Sequence, residues 1–182
     1  MIKIVTVFGT GRSKPGDKNY ALAEQLGSAL AGAGFALANG GYGGTMEASA
    51  KGASAAGGEV IGVTCSAFGR GSTGLTTGGS GNKYISREIL TTSLADRLDT
   101  LIKLGAAYVV LPGGTGTLLE LAFIWELKNK GFLDDDKPII LLGDYWNGLI
   151  ELMAIDDADS KRHLLFADSP KDVVRLLKKQ QK

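Results

Sequence analysis

Short apolar runs of strand length alternate with stretches of helical period along most of the chain. Residues 2–8, 35–38, 59–63, 106–111, 137–142 and 163–166 are short, apolar and rich in β-branched types, and read as buried strands. Between them lie amphipathic segments. Asp17 stands where a cap would open a helix carrying Ala21, Leu22, Leu26, Ala29 and Leu30 on one side, ended by Gly32 and Gly34. Residues 46–56 predict a small, alanine-rich helix that can pack close to a sheet. Residues 84–86 predict a further short strand, and 88–103 a helix with Leu90, Leu94, Leu98, Leu101 and Ile102. Helices are also expected from the turn after Leu111 to about Lys130, over 146–155, and over 170–180. Strands alternating with helices imply right-handed crossovers and a doubly wound parallel sheet with helices on both faces, an α/β fold. No linker or repeat divides the chain, so residues 1–182 are expected to form a single domain.

The pattern converges on residues 109–120. Val109, Val110 and Leu111 end a strand, and Pro112 stops it because proline cannot donate to the ladder. Gly113, Gly114 and Gly116 permit close backbone approach, and Thr115 or Thr117 can cap the helix that follows. A helix N-terminus offers unpaired N–H groups and partial positive charge, which suits a phosphate. Glu120 lies about one turn into that helix. A carboxylate there is a poor phosphate ligand, but it is a plausible catalyst or acceptor for a sugar hydroxyl. The plain alternative is a tight strand–helix turn with a solvated Glu120.

Two more glycine turns end earlier strands, over residues 9–13 and 40–45. In an open α/β sheet the ligand lies beyond the carboxyl ends of the strands, so all three turns can share one crevice. The dinucleotide fingerprint fails because Lys14 stands where its third glycine belongs, and the Gly-x4-Gly-Lys-Ser/Thr phosphate loop is absent. A mononucleotide or sugar-phosphate site remains open. Arg97, on the helix before the central strand, can reach the same crevice to hold a phosphate. It can equally be a surface arginine paired with Asp96 or Asp99.

Composition narrows the picture. A net charge of +1 makes no electrostatic case for nucleic acid or a membrane surface, and no apolar run has the length of a membrane span. One cysteine, Cys65, excludes an internal disulfide and fits a reducing compartment, so the cytoplasm is expected. The one histidine, His163, suits a surface or packing role, and no Ser-His-Asp set or metal-ligand cluster can be built. No cofactor or metal is expected. Residues 69–82 form a Gly/Ser/Thr stretch without periodicity, of the kind that serves as a lid or a partner contact or stays disordered.

Pro112-Gly113-Gly114-Thr115-Gly116-Thr117-Leu118-Leu119-Glu120 resembles the PGGxGTxxE motif of the LONELY GUY family, often labelled "possible lysine decarboxylase". The likeness extends to Val7-Phe8-Gly9-Thr10, to Gly40-Gly41 with Gly44 and Met46, and to residues 57–63. The resemblance implies a Rossmann-like homodimer that hydrolyses nucleoside 5′-monophosphates, such as AMP or cytokinin nucleotides, to a free base and ribose 5-phosphate. The family's second signature is an Arg-Lys pair. Here Arg97 takes the arginine place, Leu98 the lysine place, and Leu94-Ala95-Asp96 departs from the usual flank. A decarboxylase would need a lysine for pyridoxal phosphate, and no feature points to one.

On this reading Glu120 and Arg97 are catalytic. The N–H groups from Gly113 to Thr117 bind the 5′-phosphate beside Pro112, and Gly41, Gly44, Thr45 and Thr10 close the crevice. Leu118, Leu119, Phe123 and Trp125 can form a dimer contact or belong to the core. The rival reading is a non-catalytic carrier of a nucleotide or of molybdenum cofactor on the same fold.

Overall fold

The computed structural model describes residues 3–68 and 81–180. Their strands are β1 (Ile4–Phe8), β2 (Ala36–Asn39), β3 (Val60–Cys65), β4 (Arg87–Thr91), β5 (Ala107–Val110), β6 (Ile139–Leu142) and β7 (Leu164–Ala167). They form one sheet in the order β4-β3-β2-β1-β5-β6-β7, and every neighbouring pair is parallel. The helices are α1 (Lys18–Gly32), α2 (Thr45–Ala55), α3 (Leu94–Leu104), α4 (Thr115–Asn129), α5 (Asn147–Met153) and α6 (Pro170–Lys179), with a 3₁₀ turn at Ala158–His163.

Strand alternation divides the buried side chains between two cores, because successive residues point to opposite faces. Val5, Val7, Ala107, Val109, Ile140 and Leu142 meet α1, α2 and α6 on one face. Phe8, Tyr108, Val110, Ile139 and Leu141 meet α3, α4 and α5 on the other. Helices therefore cover both faces, as the unbroken apolar runs of the inner strands require. The small residues of α2 serve a helix contact as well as the sheet. A Cβ at Gly27 would collide with the Ser49 carbonyl, and one at Gly52 with the Glu24 carbonyl, so α1 and α2 pack backbone to backbone.

The strand order reverses at β1. Its β2 neighbour leads away on one side and β5 on the other, which opens a crevice at their carboxyl ends.

Four local expectations differ from the structure. Residues 84–86 form a turn, and the strand begins at Arg87. Residues 88–91 of this strand fall within the stretch expected as a helix over 88–103, because Leu90, Leu94 and Leu98 mimic helical spacing. The helix begins only at Leu94, where the Ser93 hydroxyl accepts from the Asp96 N–H. Asp17 sits at the start of α1 but caps nothing there, since its carboxylate accepts from the Lys14 N–H at 2.7 Å. Neither Thr115 nor Thr117 caps α4; the capping position belongs to Gly114, which has no side chain to do so. The Gly/Ser/Thr stretch expected over residues 69–82 falls largely on residues 69–80, outside the described residues.

Candidate functional site

The first two glycine turns are stitched together. The Thr45 N–H and hydroxyl both donate to the Thr10 carbonyl, at 2.8 and 3.0 Å. Gly44 makes this approach possible: its φ is +67°, and a Cβ there would run into that same carbonyl. Asn39, fully buried at the end of β2, accepts from the Gly41 N–H and donates to the Met46 carbonyl and the Ser49 hydroxyl. Asn82 adds a second brace, donating through its amide to the Gly41 and Tyr42 carbonyls. Thr10, Gly41, Gly44 and Thr45 thus form a rigid wall. The buried Thr45 hydroxyl is already engaged as a donor within it.

The third turn presents its N–H groups with no side-chain cap. The first intrahelical bond of α4 runs from the Leu118 N–H to the Gly114 carbonyl, so the N–H groups of Thr115, Gly116 and Thr117 have no partner inside the helix. Thr115 and Gly116 are exposed. Thr117 is buried, its side chain folded back so closely on Gly113 that a Cβ at Gly113 would overlap it. Among the described residues, apart from the chain neighbours and the helix's own backbone, no atom lies within 4 Å of a Cβ built at Gly114 or Gly116, so that side of the turn is open.

Arg97 and Glu120 come to this crevice from α3 and α4. The Arg97 side chain is buried, yet it pairs with neither Asp96 nor Asp99. Its Nε donates to the Val63 carbonyl at 2.8 Å and its Nη2 to the Gly40 carbonyl at 3.1 Å. The guanidinium lies 5.5 Å from the Tyr42 ring centre and 5.6 Å from that of Phe68. It therefore ties the carboxyl ends of β2 and β3 together while setting a positive charge near the turn. Gly40 leaves the room, since a Cβ there would occupy the guanidinium's place.

Glu120 keeps some exposure, but enough protein surrounds its carboxyl that burial pushes its pKa up to about 7. The Arg97 charge pulls the other way and only partly offsets the burial. Leu98, in the place of the family lysine, packs against the α3–α4 core.

Two residues not singled out from sequence also reach the third turn. In the loop after β6, the Tyr145 hydroxyl donates to the Gly113 carbonyl at 3.0 Å, and the Trp146 indole N–H to the Leu111 carbonyl at 3.1 Å. The signal that could have found them is their position just beyond the carboxyl end of a strand next to β5.

The model of the SLOG cluster4 family matches residues 2–174. The chain belongs to that family. It is 31% identical to a cytokinin riboside 5′-monophosphate phosphoribohydrolase of Mycobacterium tuberculosis over 166 residues, 85% of this chain and 82% of that protein. The resemblance to LONELY GUY proteins read from the PGGxGTxxE motif therefore stands. Among solved structures, the molybdenum cofactor binding protein of Rippkaea orientalis superposes with a TM-score of 0.76 at 28% identity, covering 100% of this chain and 99% of that one. The molybdenum cofactor carrier protein of Chlamydomonas reinhardtii shares the fold, with a TM-score of 0.75 at 23% identity over 100% of this chain and 99% of that one. No helix of the described residues is long and apolar enough to cross a membrane.

Proposed function

We propose that the chain hydrolyses the N-glycosidic bond of nucleoside 5′-monophosphates. One observation carries this reading: an acid, Glu120, stands about one turn inside the helix whose uncapped N-terminus is open, and the protein around its carboxyl pushes the pKa up to about 7. The N–H groups of residues 114–117 bind the 5′-phosphate, aided by the partial positive charge of the helix end. This sets the ribose against Glu120, with Pro112 and Gly113 beneath it and the wall of Thr10, Gly41, Gly44 and Thr45 opposite.

Cleavage breaks the bond between C1′ and the base nitrogen, and the electron pair leaves with the base, which takes up a proton. Positive charge develops on the ribose ring as in other glycoside hydrolyses. Ionised Glu120 stabilises that charge and accepts the proton of the water whose oxygen attacks C1′. Arg97 keeps a usable fraction of Glu120 ionised near neutral pH. The M. tuberculosis relative supports this substrate class.

Incubation with AMP, other nucleoside monophosphates and cytokinin nucleotides should release free base and ribose 5-phosphate. Release from none of them would exclude the hydrolase.

The active form proposed is a cytoplasmic homodimer. Leu118, Leu119 and Phe123 remain 36–44% exposed on α4, beside a groove of about 660 Å³ lined by Trp125, Leu149, Leu152 and Met153. A second copy would cover this apolar face. Trp125 itself is core, with its indole N–H on the Ser160 carbonyl.

A second reading, a carrier of a nucleotide or molybdenum cofactor, is favoured by Leu98 in the lysine place and by the engagement of Arg97 with backbone carbonyls. Tight binding of that cofactor without release of any base would select it.

A further inference from the structure

We infer that Tyr145 is a positioning residue for the anion-binding turn, acting through the Gly113–Gly114 peptide. The inference rests on the proposal that this turn binds the phosphate. Two consecutive aromatic residues grip the carbonyls on either side of Pro112, Tyr145 at Gly113 and Trp146 at Leu111. Their rings meet edge to face, with centres 5.0 Å apart and planes at 86°, so each holds the other's orientation.

A trans peptide is planar, with its C=O and the following N–H pointing in opposite directions. Fixing the Gly113 carbonyl therefore fixes the Gly114 N–H. The sheet order makes the direction useful. Tyr145 follows β6 and draws the carbonyl to the β6 side of β5, so the Gly114 N–H faces the β1 side, where the crevice lies.

A brace is needed here because Gly113 and Gly114 both lack a Cβ, and the peptide between them can turn over more freely than any other in the loop. Trp146 cannot do the same work, because the residue after Leu111 is Pro112, which carries no N–H.

Tyr145→Phe keeps the ring and its contact with Trp146 and removes only the hydroxyl. The test titrates wild type and variant with ribose 5-phosphate and follows backbone amides by proton–nitrogen NMR, with melting temperatures measured alongside. The expected result is a dissociation constant raised about threefold to tenfold in the variant. The ligand-induced shift at Gly114 should shrink selectively, while those of Gly116 and Thr117 persist and melting is unchanged. Equal affinities with an unaltered Gly114 response would overturn the positioning role and leave the phosphate site intact. Absence of any ligand-induced shift from Gly114 to Thr117 in the wild type would remove the phosphate site itself, and this role with it.

Discussion

The Glu120 carboxyl and the Arg97 guanidinium act on each other's charge without forming an ion pair among the described contacts. Burial raises the pKa of the acid and lowers that of the base, and each charge opposes the shift of the other. A direct bridge would hold Glu120 permanently ionised and block the space a substrate needs. With the arginine engaged by the Val63 and Gly40 carbonyls, the carboxyl is left responsive near neutral pH.

Glu120→Gln should lower turnover of a nucleoside monophosphate by at least about a hundredfold. In the wild type, kcat/KM should climb with pH through about 7 and level off, since the ionised form does the work. Steady-state rates across the pH range check both, and full turnover by the glutamine variant would remove Glu120 from the mechanism.

The same residue links pH to stability. Its folded pKa lies above the usual 4.5, so the native state retains a proton that the unfolded state has released. The stability this contributes is present in full below the unfolded value and is lost as pH rises through about 7. Glu120→Gln should therefore raise the melting temperature more near pH ~8 than near pH ~5. A difference independent of pH would show that the carboxyl titrates normally.

Arg97→Met leaves the Val63 and Gly40 carbonyls without their donor and should cost about 2–4 kcal/mol by chemical denaturation. It should also move the midpoint of any residual activity to higher pH, because the charge that lowers the Glu120 pKa is gone. An unmoved midpoint would mean the two groups are uncoupled.

Gly116→Ala adds a methyl group that meets no other part of the described residues within 4 Å. Replacing glycine with alanine in the first turn of α4 should hold or raise the melting temperature, by up to about 1 kcal/mol of stability. KM for AMP should nevertheless rise, because the empty space belongs to the ligand. An unchanged KM would move the phosphate elsewhere.

Leu119→Glu puts a charge on the exposed face of α4. Wild type should sediment as a dimer and the variant as a monomer with an unchanged circular dichroism spectrum. A monomeric wild type would dispose of the homodimer.

The order of residues alone specifies the alternation of strands and helices and three glycine turns at strand ends. It also carried the motif that runs from Pro112 to Glu120. Buried parallel strands are uniformly apolar, and tight turns near a ligand need glycine, so both leave local marks. The boundary before α3 was not legible, because Leu90, Leu94 and Leu98 satisfy a helical period even though Leu90 belongs to an edge strand half open to solvent. What Arg97 does was beyond reach for a different reason. Its partners are carbonyls 34 and 57 residues away, and only the sheet order brings them to it. Tyr145 reaches Gly113 across 32 residues because β6 lies beside β5. Chemistry that rests on one helix and its own turn is written locally; chemistry that depends on which strands are neighbours is decided only when the sheet closes around its core.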